Sequence, residues 1–358
     1  VYETNKTATA AARGSAIAGP RGVNRTVTAP IETTGAEAGA QPEAVLSGVK
    51  KSQIEGRSLT QIAWMRFKRD KVAMAGGVIV ILLVLMAVFS KPIQWIFNLD
   101  PNKFNQDLID PALLAPKGGW GGMSWDHPLG VDPQYGRDML ARIIDGSWVS
   151  LLVAGGATLL SVCIGTVLGV VAGYYGGWID SVISRLMDTF LAFPLLLFAI
   201  SISASVQDGF FGLEGLSLRI SVLIFVIGFF SWPYIGRIVR AQTMTLRKRE
   251  FIEAATSLGA RGPYVLFREL LPNLVAPILV YSTLIIPTNI LFEAALSFLG
   301  VGIAPPQASW GGMLSNAVDL YTADPQYMFV PGLAIFITVL AFNLLGDGLR
   351  DALDPRSK

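Results

Sequence analysis

Apolar residues in this chain gather into long runs rather than alternating with polar ones, at roughly 72–90, 148–173, 181–206, 219–240, 274–302 and 329–346. Crossing the hydrocarbon core of a bilayer takes about 20 helical residues, and each run is close to or above that length. The pattern predicts six membrane-spanning helices. Pro194, Pro277 and Pro287 fall inside the runs; kinks rather than breaks are expected there, because membrane helices re-satisfy the freed backbone groups through their neighbours. Within 148–173, Gly165, Gly169 and Gly173 recur every fourth residue, a stripe that lets another helix backbone approach closely.

The intervals between the runs differ in kind. Residues 1–50 are rich in Ala, Thr, Gly and Pro without an apolar period, which reads as a flexible tail. They lack the apolar core and cleavage site of a signal peptide. Val1 stands first, so either a start methionine has been removed or the chain is processed. Residues 51–71 include SLTQIAWMRFKRD, where Leu59, Ile62 and Phe67 share one helical face beside Trp64 and several cations, the pattern of a helix lying in the interface plane. A largely apolar block then extends over 72–356, interrupted by polar segments at 91–146 and 241–273. The first contains His127 and three tryptophans, Trp95, Trp120 and Trp125.

Charge orients this layout. Lys and Arg cluster before the first run, between the fourth and fifth, and after the sixth, whereas 207–218 and 303–328 contain neither. The positive-inside rule therefore places both termini and the 241–273 loop in the cytoplasm and 91–146 outside.

Composition agrees with a membrane class. The chain is 52% hydrophobic and 15% charged with mean hydropathy +0.51, against about 25% charged residues in soluble domains. A net charge of +2 gives no footing for a nucleic-acid partner. The one cysteine, Cys163, reads as a buried small hydrophobe. The one histidine excludes a His-pair metal site, and His127 reads as a turn residue rather than a ligand. No G-x-x-x-x-G-K-[ST], H-E-x-x-H or G-x-S-x-G occurs, so this chain offers no nucleotide-phosphate loop, zinc-protease helix or serine elbow. No catalytic or metal-binding residue is assigned. A membrane-embedded enzyme built on Asp188 and Asp347, or a scaffold without transport function, stays a remote alternative.

The 241–273 loop is the informative interval. RKREFIEAATSL favours a helix, with Phe251, Ala254, Ala255 and Leu258 as an apolar stripe and Gly259 as its stop. ARGP turns the chain, and PYVLFRELL forms a second short helix ending at Pro272. Ala254 and Ala255 leave a nearly flat patch beside Glu253, where another protein can approach the backbone.

At these residues the sequence resembles the permeases of ATP-binding-cassette importers, whose EAA signature falls on Glu253, Ala254, Ala255, Gly259, Leu271 and Pro272. A second Glu-Ala-Ala, at 293–295, has its glycine one residue late and lies within the fifth run. HPLGVDPQYGRDMLARIIDG (127–146), MDTFLAFP (187–194), AALSFLGVGIAPPQASWGGML (294–314) and FNLLGDGLRDALDPR (342–356) narrow the resemblance to the C-type subunit of dipeptide and oligopeptide importers. Glu269, Val131 and Trp148 depart from what relatives commonly show.

The resemblance implies an all-α integral membrane protein, a six-helix type I importer permease of the bacterial plasma membrane. It implies a B-type permease partner, two ATPase subunits that hold ATP and Mg, an extracytoplasmic solute-binding protein and a peptide substrate. This chain itself needs no cofactor. Relatives also handle nickel complexes and other small solutes, so a non-peptide solute is the alternative. The EAA residues are implied to couple the permease to its ATPase.

Ionisable residues inside the spans are functional candidates by default. Asp188, three residues after Arg185, is expected to pair with it or to meet substrate. Glu293 is expected either to hydrogen-bond across the bundle or to line a cavity and meet a peptide's ammonium. Asn343 is expected to make a helix–helix hydrogen bond.

Overall fold

The computed structural model describes residues 59–205, 212–322 and 324–353. The tail expected at 1–50, the start of the interfacial segment at 51–58 and the end of the permease block at 354–356 lie outside them. The helices run α1 (Leu59–Arg69), α2 (Lys71–Val88), α3 (Ser90–Ile96), α4 (Met139–Tyr175), α5 (Gly177–Ala192), α6 (Leu195–Ser205), α7 (Gly215–Leu246), α8 (Glu250–Ser257), α9 (Gly262–Tyr264), α10 (Leu271–Phe298), α11 (Trp310–Ala317) and α12 (Gln326–Leu353). A two-residue antiparallel pair, β1 (Ile109–Asp110) with β2 (Ala115–Pro116), lies between α3 and α4.

Among the described residues, five helices are long and apolar enough to span a bilayer, and α5 with α6 makes a sixth if counted as one broken span. That break corrects the kink expected at Pro194. α5 and α6 meet at 78°, with Phe193 extended at φ −78°, ψ 129°. A residue preceding proline is pushed out of the helical region, so helix α5 ends there instead of bending.

Pro272 behaves in the opposite way. It does not end the second helix of the loop; the chain passes from α9 through a π-helical turn at Val265–Leu270 into α10 without a stop. The Leu271 N–H bonds to the Leu266 carbonyl, five residues back. A widened turn of this kind absorbs the ring of a following proline. Pro277 and Pro287 lie within α10, as expected.

Polar side chains set where elements begin. Asp70 caps α2 by accepting from the Val72 and Ala73 N–H groups at 2.9 and 3.0 Å, separating it from α1. Asp138 caps α4 through the Ala141 N–H at 2.8 Å, while its other oxygen meets His127 Nδ1 at 2.6 Å. The histidine is thus tied to the helix start rather than being only a turn residue. The cap lets α4 begin at Met139, well before the apolar run at 148.

The tightest contact in the bundle is between α4 and α7. A Cβ on Gly165, Gly169 or Gly173 would stand 2.7 Å from the carbonyl oxygen of Trp232, Gly236 or Arg240, respectively. The glycine stripe therefore packs helix on helix. α2 and α10 both pack on α12, and α10 also packs on α4. Cys163 is exposed on α4, contrary to its expected burial, because it lies off that stripe.

Candidate functional site

α8 is held from one side. Ile252 is 3% exposed and packs with Val265 and Leu270, while Glu253 and Ala254 are exposed and Ala255 is half-buried. The stripe expected from the sequence turns outward: Phe251 is 40% and Leu258 89% exposed. The chain's own core takes Ile252, and the larger apolar face is left open.

The helix ends as its glycine requires. Gly259 has φ +88° with nothing near its missing Cβ, so the constraint there is conformational rather than steric. The Gly259 N–H donates to the Thr256 carbonyl at 2.9 Å and the Ala260 N–H to the Ala255 carbonyl at 3.0 Å. These bonds close the helix C-terminus with a left-handed residue. Leu271 is half-buried and Pro272 exposed at the start of α10, fixing the return path.

Two open clefts flank α8. One, of about 590 Å³, is bounded by Ala255, Leu258, Gly259, Tyr264 and Glu269. The other, of about 660 Å³, is bounded by Tyr174, Arg247, Ile252, Glu253 and Thr256. Ala255 and Gly259 thus share the first cleft with Glu269, the departure from the usual motif, while Glu253 lines the second.

The other candidates lie elsewhere. Asp188 pairs with Arg237 of α7 at 2.5 Å rather than with Arg185, because packing of α5 on α7 brings that guanidinium closer than the helical neighbour. Glu293 is fully buried in α10 and accepts from Ser297 Oγ at 2.8 Å. Ser297 Oγ in turn accepts from the Ile303 N–H at 3.3 Å. The carboxyl therefore steadies the connection to α11. The amide hydrogen bond expected of Asn343 is made instead by Asn289, which donates to Thr158 Oγ1 at 2.8 Å across α10 and α4.

Sequence reasoning missed a polar cluster at the opposite end of the bundle from α8. Asp132 accepts from the Arg137 N–H and Nε, both at 2.7 Å. Burial nevertheless raises its carboxyl above the usual aspartate range. Asp145 is 1% exposed in its side chain and accepts from Lys91 Nζ at 2.8 Å, from Gln94 Nε2 at 3.2 Å and from Gln307 Nε2. Arg142 is 2% exposed between them. The available signal was an Arg and an Asp at i, i+3 within the first turns of a membrane helix.

The family described as binding-protein-dependent transport system inner membrane component matches residues 165–358, and the N-terminal transmembrane domain of oligopeptide transport permease C matches residues 58–116. The glutathione transport system permease protein GsiD of Pectobacterium atrosepticum is 40% identical over 82% of this chain and 90% of its own length. Its Escherichia coli counterpart (strain 536) is 41% identical over the same shares. The inward-facing MetNI methionine ABC transporter is similar to this chain at 18% identity and a TM-score of 0.47, covering 60% of this chain and 98% of that one.

Proposed function

The chain belongs to the family of inner membrane components of binding-protein-dependent transport systems, and on that premise we propose that it forms half of the path of a small-peptide importer and couples to a separate ATPase through α8. It is a multi-pass inner-membrane permease subunit of an ABC transporter, not an enzyme, and ATP belongs to the partner ATPases of such systems. A partner permease, ATPases and a solute-binding protein accompany permeases of this family. In our reading these are a B-type permease, two ATPase subunits and an extracytoplasmic protein that delivers a peptide. The curated relatives are named for glutathione transport, and a peptide of that size is the proposed cargo.

One observation carries the coupling reading. α8 buries Ile252 on its own chain and turns Phe251, Ala254 and Leu258 outward beside Glu253. An exposed apolar face next to a charge is what a docking surface needs. In the orientation given by the Lys and Arg clusters, this face is cytoplasmic, where ATP is available. ATP-driven closure of the ATPases then moves α8. Because α8 is packed on Val265 and Leu270, at the root of α10, that motion passes into the bundle. A shift between outward- and inward-facing states results if ATP binding favours one of them.

The test is purification of the tagged complex in mild detergent, wild type against Glu253→Arg. Wild type is expected to bring a second permease and an ATPase, and the variant the second permease only. Wild type that brings no ATPase sinks the coupling reading.

A further inference from the structure

Arg142 lies one turn into α4 and is 2% exposed. Its Nη1 donates to the carbonyl oxygens of Pro101 at 3.2 Å and Pro306 at 3.5 Å, and its Nε has no partner among the described residues. The carboxylates that act on it are already committed, Asp132 to Arg137 and Asp145 to Lys91, Gln94 and Gln307. A buried guanidinium bonded only to carbonyls lacks a direct anionic partner, a costly state that a bound anion would relieve.

The space for that anion exists. Arg142 lines a cavity of about 160 Å³ together with Arg219, Ser297, Ser309, Ser315 and Asn316. Arg219 comes from the first turns of α7, is half-buried, and has one Nη1 contact, to the Gly302 carbonyl at 3.1 Å. Two guanidiniums from different helices thus meet at one small polar cavity. Arginine's planar fork suits a carboxylate better than any other side chain does.

A second cavity adjoins it. Pro305, Ser315 and Asn316 also line a neighbouring cavity of about 580 Å³, with Phe104, Tyr135, Tyr327 and Asp319 on its walls. That volume falls within the roughly 300–1,000 Å³ of small-molecule sites. Its Arg137 is closed on Asp132 and stacked over Tyr135, 4.7 Å from the ring centre. Asp319 is exposed and supplies a negative group away from the two arginines. The smaller cavity is cationic, and the larger one beside it carries Asp319 and aromatic walls.

The geometry points to a docking site for a short zwitterionic peptide on this face, its C-terminal carboxylate between Arg142 and Arg219 and its ammonium toward Asp319. The site rests on the importer reading, in which this face is extracytoplasmic and receives cargo from the binding protein. Glu293 serves it at one remove, since Ser297 and Ile303, which its carboxyl organises, both line the smaller cavity.

The test uses the complex of both permeases and the ATPases in lipid nanodiscs, without binding protein, and measures equilibrium binding of trialanine and glutathione, each as free acid and as C-terminal amide. At least one free acid is expected to bind saturably, with its amide at least tenfold weaker. Arg219→Gln is expected to weaken the acid at least tenfold and remove the difference from the amide. Arg142→Gln is measured in parallel, but the half-buried Arg219 keeps the test independent of folding. No saturable binding to wild type, or equal binding of acid and amide, overturns the site. If Arg219→Gln leaves peptide binding intact but abolishes capture of the binding protein, the carboxylate belongs to that protein and the peptide site is overturned. Co-purification of the ATPase, read on the same samples, reports separately on the importer reading.

Discussion

Gly169 of α4 faces the backbone of Gly236 of α7 so closely that a methyl group on Gly169 would come within 2.7 Å of the Gly236 carbonyl oxygen. Gly165 and Gly173 repeat the contact one turn to either side. Without a hydrophobic drive between helices in lipid, such close packing is what holds them together. The α4–α7 pair is therefore a rigid spine. Gly169→Leu is expected to abolish recovery of folded protein in detergent. Gly169→Ala is expected to cost about 1–3 kcal/mol, the usual penalty for overpacking. Gly155→Ala, on the same helix with nothing within 4 Å of its Cβ position, is the control and is expected to leave the thermal midpoint unchanged or raise it slightly. Equal midpoints for Gly155→Ala and Gly169→Ala would show that the stripe is not a packing surface.

The two faces of α8 predict opposite phenotypes. Ile252, buried against Val265 and Leu270, is support: Ile252→Ala is expected to cost about 2–5 kcal/mol and to expose the loop to protease. Leu258, 89% exposed, is contact surface in the proposed coupling. Leu258→Ala is expected to keep wild-type protease resistance while weakening ATPase association at least tenfold. Limited proteolysis and ATPase pull-down on the same preparations separate the two. Loss of protease resistance in Leu258→Ala would assign it to the fold instead.

Much of this arrangement was legible from run lengths and charge, and the exceptions have local causes. α2, α7, α10 and α12 fall where long apolar runs lie, because a helix must satisfy its own backbone in lipid. The start of α4 was missed by about nine residues, since its first turns carry Arg142 and Asp145 in a polar cluster that no hydropathy window anticipates. Pro194 and Pro272 were each misjudged: Phe193 escapes into extended backbone, whereas Leu271 finds a bond five residues back. On α8 the stripe Phe251–Leu258 was visible, yet a period marks a face without saying whether it turns inward. The partner of Asp188 was mistaken because sequence offers only neighbours along one helix, and Arg237 comes from another.

Two ion pairs join α5 to α7 and differ in surroundings. Arg240 meets Asp180 with Nη2 to Oδ2 at 2.6 Å and a second bond from Nε to Oδ1, at 30% and 19% side-chain exposure. Arg237 and Asp188 share one bond at 53% and 55%. Two-pronged, partly buried pairing is the stronger kind. Asp180→Asn is expected to cost about 1.5–3 kcal/mol, and Asp188→Asn less than about 1 kcal/mol. Thermal unfolding in one detergent measures both; the reverse order would mean that a neighbouring subunit, rather than this chain, sets the environment of Asp188.

Glu293 was expected either to hydrogen-bond across the bundle or to line a cavity, and its bond to Ser297 lies within its own helix. It is fully buried, lines neither of the two cavities at that end of the bundle, and accepts from Ser297, whose oxygen holds the Ile303 N–H. We read a group so placed as ordering the α10–α11 connection rather than offering a charge to cargo. Glutamine has nearly the same shape and still accepts from Ser297, so Glu293→Gln is expected to keep peptide uptake within about threefold of wild type. Glu293→Ala strands the Ser297 hydroxyl and opens a void, at a cost of about 2–4 kcal/mol, and is expected to lower both thermal midpoint and uptake. ATP-driven uptake into proteoliposomes, together with unfolding of the same proteins, decides between the roles. Glu293→Gln protein that is folded and inactive would show that the carboxylate's charge, not its hydrogen bond, serves transport, and the residue would then belong to the substrate path.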